Sequence, residues 1–502
     1  MKKLLVFMGI ISVLFLAVSC EGIFNKPEVK AASPGSRLTL EEQIALMHLE
    51  TEYIKSADEQ KALVQEWLET MPEESGYRQL VITRQEPFSQ TYERGFIAKD
   101  GTPKASEIGF NVFILEDPKA PEGKQPGFAV VCEDIRIGGN SVIAVVETGD
   151  WNNPDSRFLE VYKANLADYI QTTIDTFNSV TAADIQTAQA KAARNAGRGS
   201  MWFYDEYDWG NPANLNPGST KFPNNFINTI WGRGAPYNSV INYVNPAGLS
   251  SPAIYQTGPD LTALAQLVMF HKWTWNGIPW NLGPWRNNRP DAQIKSFTSR
   301  GNVYYNVDRF WAPDNNNNLK EYIFADMEYR WPLMKADVDA TYISNEAKAE
   351  VAALFFDLGC KMDKYFTDTG DSLAAIEYVW NALYQMGYSA YGIQEGSDIF
   401  WSYFGIRRSI DAQRPVYACA ADSDSYYYVT YTAWLIDNYR VTGTGAIQVR
   451  CNTGEGGLNG SSTPGSNDGW YNISPFNVKG FTYSLKYLTG VYPAAKLGYY
   501  GE

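Results

Sequence analysis

The chain of 502 residues contains only two histidines, His48 and His271, and five cysteines, none of them in C-x-x-C spacing. A structural zinc site needs about four His/Cys ligands at short spacing, so metal binding by such a cluster is excluded, and no cofactor is expected. Basic residues are also in short supply. Forty-two Lys+Arg stand against 56 Asp+Glu, giving a net charge of −14 with no basic stripe, which argues against nucleic acid as a partner. The apolar run Leu4–Val18 is short for a membrane span.

That run has another reading. Lys2 and Lys3 precede it and Ser19-Cys20 follow it, so residues 1–20 are expected to be a secretory signal. Leu16-Ala-Val-Ser-Cys20 resembles a relaxed bacterial lipobox, with Ala17 where Leu is usual. Cys20 would then become a diacylated N-terminus, making the protein exported and lipid-anchored to a bacterial membrane, periplasmic or at the cell surface. The alternative is an ordinary signal cut near Ser19 or Cys20. In an exported protein Cys132, Cys360, Cys419 and Cys451 could pair, and the sequence leaves their pairing open. Aromatic residues make up 14 % of the chain, which suits packed loops or a surface that stacks on sugars.

Residues 21–36 have the composition of a tether, and order is expected from Thr39. Thr39-Leu-Glu-Glu42 forms a capping box ahead of Ile44, Met47 and His48, and a second helix is expected across Asp58–Met71. From Gln79 the period changes to two, giving strands at Leu80–Ile82, Phe110–Leu115, Phe128–Cys132 and Val142–Val146. An Ala-rich helix, Ala182–Ala196, passes into the Gly/Pro/Asn-rich stretch Trp209–Asn225. Farther on, Thr257 or Gly258 can cap a buried helix that starts at Pro259. Proline suits the first helical position, Asp260 faces the free N–H groups, and Leu261, Leu264, Ala265, Val268 and Phe270 keep an apolar face. Trp273–Trp285 and the Asn315–Asn318 run read as loop, and Asn345–Asp363 and Ala374–Gly387 as helices. Cys360 reads as a core thiol.

Several of these stretches resemble the streptopain (C10) family of papain-like cysteine peptidases. Thr257-Gly-Pro-Asp-Leu-Thr-Ala-Leu-Ala-Gln-Leu-Val-Met-Phe-His271 is similar to its nucleophile helix, Gly-Cys-Val-Ala-Thr-Ala-x-Ala-Gln-x-Met-x-Tyr-His, with Pro259 at the catalytic cysteine. Trp231-Gly-Arg-Gly-Ala-Pro-Tyr-Asn238 resembles Trp-Asn-Gln-Gly-x-Pro-Tyr-Asn, with Arg233 at the glutamine that supplies an oxyanion donor. Arg414-Pro-Val-Tyr417 matches a family strand. Tyr431-Thr-Ala-Trp-Leu-Ile-Asp-Asn-Tyr439 matches the segment of the general-base histidine, where Thr432 stands. Asn452-Thr-Gly-Glu-Gly456 lies where the family has Asn-Trp-Gly-Trp-Gly, so the orienting Asn452 is kept while Thr453 and Glu455 replace both indoles. Gly127-Phe-Ala-Val-Val-Cys-Glu-Asp-Ile-Arg136 and the strand after it resemble the family's Spi-type prodomain.

The resemblance implies an α+β fold: a papain-like two-lobed unit, with a helical lobe and an antiparallel sheet lobe, preceded by an α+β prodomain-like domain. The expected division is 37–180 prodomain-like, 181–225 linker, where active members are cut, and 226–502 peptidase-like. With nucleophile, base and oxyanion positions all substituted, no catalytic set is intact, and an inactive pseudopeptidase with a binding role is expected. One alternative is an enzyme with relocated residues, Asp260 or Thr262 as nucleophile, although neither an imidazole nor a lysine is expected where a base is needed. Another is an aromatic-rich adhesin binding a protein or a glycan. If Asp260 and Arg233 both face the old cleft, they could pair across it.

Overall fold

The computed structural model describes residues 40–50, 52–71, 76–92, 94–97, 106–120, 124–137, 142–196, 226–244, 255–272, 294–299, 302–334, 343–366, 375–395, 399–421, 431–441, 447–455, 467–472 and 485–493. Cys20 with its signal-like segment, the tether, Thr39, Trp209–Asn225 and Trp273–Trp285 lie outside them.

In the N-terminal half, α1 (Leu40–Met47) precedes α2 (Ala57–Glu69). Ser56 caps α2 through a capping box, its hydroxyl accepting from the Glu59 N–H while the Glu59 carboxylate accepts from the Ser56 N–H at 2.8 Å. Strands β1 (Val81–Tyr92), β2 (Ser106–Glu116), β3 (Gly127–Cys132) and β4 (Val142–Val146) follow as an antiparallel meander. Helix α3 (Arg157–Ser179), which has no counterpart among the expected elements, leads to α4 (Ala182–Ala196). His48 Nε2 donates to the Phe177 carbonyl of α3 (2.9 Å), and its ring stacks on that of Phe177.

The C-terminal half contributes α5 (Ser239–Val244), α6 (Pro259–His271), α7 (Asn345–Lys361), α8 (Ile376–Gln385) and α9 (Ile399–Asp411). Its strands are β5 (Ile294–Ser299), β6 (Asn302–Val307), β7 (Arg309–Pro313), β8 (Leu319–Ile323), β9 (Tyr365–Phe366), β10 (Gly392–Glu395), β11 (Val416–Ala421), β12 (Tyr431–Val441), β13 (Ile447–Asn452), β14 (Gly469–Asn472) and β15 (Lys486–Thr489). The Asn315–Asn318 run turns β7 into β8, with Asp314 Oδ1 accepting from the N–H groups of Asn316 and Asn318.

The α+β architecture is as expected, with one addition. The two halves share one ten-stranded sheet, in the order β1-β2-β3-β4-β14-β13-β12-β11-β15-β10. The junction is β14 against β4, pairing Gly469 with Val146, Trp470 with Val145 and Tyr471 with Ala144. Alternation sorts the side chains onto two faces. Tyr417, Cys419, Ala433 and Leu435 join the core under α5–α8, whereas Val416, Ala418, Ala420, Trp434 and Ile436 join the core of α3 and α9. Among the described residues no disulfide joins Cys132, Cys360, Cys419 or Cys451.

Candidate active site

Helix α6 starts where the sequence places it. Gly258 occupies the cap at φ +79°, a conformation that a Cβ would strain, and Pro259 fills the first helical position. From Pro259 to Met269 every residue is buried, so the helix runs through the core.

Pro259 offers no heteroatom at the nucleophile position, and the polar groups around it are committed to one another. The Asp260 carboxylate accepts two hydrogen bonds from Lys364 Nζ, at 2.7 and 2.8 Å, and both side chains are buried. Burial lowers the Lys364 pKa, and the Asp260 charge opposes that shift. The Thr262 hydroxyl donates back to the Gly258 carbonyl at 2.9 Å, and Thr257 donates to the Arg233 carbonyl through its N–H (3.2 Å). Gly454 (φ +63°) comes so close to Thr262 that an added Cβ would lie 3.0 Å from its Cγ2.

Asn452 is held in the same cluster, by a chain of three hydrogen bonds. The Trp231 N–H donates to Gln266 Oε1 (3.3 Å), Gln266 Nε2 donates to Asn452 Oδ1 (2.9 Å), and Asn452 Nδ2 donates to the Thr229 carbonyl (2.8 Å). The residue at the family's orienting position thus ties α6 to β13 and to the 229–231 segment. Thr432 is buried on β12 opposite Ala420, and its hydroxyl has no hydrogen-bond partner among the described residues. By alternation it shares the sheet face of Ala420 and Trp434, whereas Ala433 and Leu435 face the core of α6.

An Arg233 nitrogen lies 3.8 Å from a Glu455 carboxylate oxygen, with both side chains buried. Glu455, standing at an indole position of the family motif, reaches the start of α3: one oxygen accepts from Ser156 Oγ (2.5 Å) and the other from the Phe158 N–H (2.9 Å). A carboxylate suits that place because the first-turn N–H groups of a helix are free and carry partial positive charge.

Lys364 escaped the sequence reading, and so did the contacts of Glu455. Glu455 has a partner nearly 300 residues away in the chain. The buried thiols supply no substitute nucleophile, since burial pushes Cys132 and Cys419 up to about 12 and Cys451 well above its ordinary value. Among the described residues no group of His, Cys, Asp and Glu could hold a metal ion. A cavity of about 210 Å3 between α5, β7 and α7 is lined by Val240, Trp311 and Ala352 and by none of the family's catalytic positions.

Comparison with solved structures finds a fragment of Prevotella intermedia prointerpain A, 15% identical, with a TM-score of 0.46, covering 82% of this chain and 99% of the other. The active wild-type interpain A cysteine protease of the same organism is 19% identical, with a TM-score of 0.33 over 53% of this chain and 94% of the other. No curated protein matches. The model of the peptidase C10 family matches residues 231–471, a span that runs from Trp231 through α6 and β12 to Tyr471. Through that span the chain is similar to the peptidase C10 family.

Proposed function

We propose that this chain is a catalytically silent member of the peptidase C10 family, exported, anchored by lipid on Cys20, and used for binding a protein or glycan. One observation supports the silence above all: a proline starts α6 at the nucleophile position, and beside it Asp260 is saturated by Lys364. Acyl transfer needs a nucleophile helped by a base. Thr432 carries a hydroxyl, which accepts no proton near neutral pH. Lys364, the nearest candidate base, spends its contacts on Asp260, while Thr262 donates to Gly258 and away from any attacking position. A stripped protease site can retain roughly 10³–10⁴-fold acceleration over water, negligible beside a working enzyme.

The test is incubation of the mature protein with unfolded casein, alongside a thiol-directed epoxide probe. Neither turnover nor labelling at α6 is expected. Turnover abolished by Asp260→Asn, Thr262→Val or Lys364→Met would establish relocated catalysis. The anchor is tested by Cys20→Ala, which should free the protein from membranes, and the binding role by a glycan array and pull-down with the mature protein.

A further inference from the structure

The face of the sheet that carries β12–β14 is covered only in part by its own half, through Ile406 and Ile410 of α9. Trp434, Ile436, Tyr439, Val449, Cys451 and Tyr471 are each at most 1% exposed, in one cluster with Phe158, Tyr162 and Ile170 of α3. Ring edges interlock there: Phe158 meets Trp434 at 5.2 Å and Tyr471 at 4.9 Å, and Tyr162 meets Tyr471 at 4.9 Å. On the opposite face Trp470 belongs to the cluster of Val64, Trp67 and Leu68 of α2.

Polar groups are fitted across the same seam. Trp67 Nε1 donates to Gln448 Oε1 (2.8 Å), and Gln448 Nε2 donates to the Val142 carbonyl (2.7 Å). The buried Arg440 guanidinium lies over the Trp67 ring at 4.5 Å and donates to Thr70 Oγ1 at 2.8 Å. Beside the β4–β14 ladder the Asn467 N–H donates to the Thr148 carbonyl (3.0 Å), and Glu455 caps α3 from the other side.

We propose that residues 40–196 are a permanent half of one folded unit, and that cutting the chain between residues 197 and 225 does not release them. Trp434, Trp470 and Tyr471 alone would expose on the order of 500 Å2 of ring surface if the halves parted. That is as large as the largest apolar patch of a typical soluble monomer, roughly 300–600 Å2, before any of the aliphatic residues is counted. The inference does not rest on catalytic silence, since it concerns only the packing between the halves.

The experiment inserts a recognition sequence for a site-specific protease after Gly210 of the otherwise complete mature chain, cuts it under native conditions and applies it to gel filtration at falling concentration. Both fragments should elute together at the size of the uncut protein. Free N-terminal fragment overturns the proposal, whether or not the remainder stays soluble. Native-state hydrogen exchange on the uncut, unaltered chain gives a second readout. Amides of β4 and α3 should become exchangeable together with those of β12 and β13 as denaturant is raised. Opening of β1–β4 and α3 as an earlier, separate unit would also overturn it.

Discussion

Two buried ion pairs occupy ground that the family motifs give to catalysis, and they are built differently. Asp260 and Lys364 meet at 2.7 and 2.8 Å, within the C-terminal half, between the first turn of α6 and the residue ahead of β9. Arg233 and Glu455 approach only to 3.8 Å, and the carboxylate gives its short contacts to Ser156 and Phe158 of the other half. The first closes one lobe upon itself. The second joins the old cleft residues to α3. Positions within the family motifs thus serve as structure, one within a lobe and one at the seam.

The largest effect should come from breaking the tighter pair. Asp260→Ala leaves the Lys364 ammonium in the core without its carboxylate, and removing one partner of a buried pair costs about 3–5 kcal/mol. This exceeds by far the dipole contribution that Asp260 would make at an exposed helix start, about 0.3–1 kcal/mol. Asp260→Ala with Lys364→Met should regain most of the loss, because an apolar side chain of similar volume replaces the charge. Urea unfolding of both variants measures this. A loss confined to the dipole range would mean that the pair is not desolvated as described.

A second test uses pH at the seam. Asp468, just ahead of the β14 residues that pair with β4, is buried and pushed up from 3.8 to about 7 by that burial, against the opposing effects of Arg450 and of hydrogen bonds from Thr453. Burial raises Asp437 as well, with Arg450 opposing. Between about pH 4 and 7 the folded chain therefore holds a proton that the unfolded chain has lost. This contribution to stability is full below about pH 4 and disappears as pH rises through about 7. Asp468→Asn should flatten the fall in melting midpoint between about pH 4 and 7, an effect of a few kcal/mol at most. An unchanged slope would place the charge of the native state elsewhere.

How much of this was legible beforehand follows the range of the contacts. The start of α6 is local chemistry, with Gly258, Pro259 and Asp260 consecutive, and the structure puts the helix there. Strand β12 contains Tyr431–Tyr439, a stretch that the sequence marked only through its resemblance to a family motif. Lys364 could not be read because 104 residues separate it from Asp260, and nothing near Lys364 in the sequence announces a buried charge. The seam was hidden for the same reason, since an open strand edge does not say which strand will cover it. Helix α3 is a different kind of omission. Ser156 at the cap and Phe158, Val161, Tyr162, Ile170 and Ile174 on one face were available at helical spacing. The signal was present without the resemblance to a family motif that brought other helices forward.

The smallest effect tests whether Glu455 and the α3 cap act as one device. The Ser156 hydroxyl accepts from the Leu159 N–H at 3.0 Å while donating to Glu455, so it bridges the helix start to the carboxylate. Ser156→Ala removes an N-cap and should cost about 1 kcal/mol. Glu455→Gln keeps an acceptor for the Phe158 N–H but removes the charge opposite Arg233. If the two side chains share one network, their losses will not add, and the double variant should differ from the sum by at least about 0.5 kcal/mol. Additive losses would make Ser156 an ordinary cap and Glu455 a separate contact. Glu455 and Ser156 would then be two local closures, and coupling between the halves would rest on the apolar packing, the β4–β14 ladder and the Trp67–Gln448 and Arg440–Thr70 contacts.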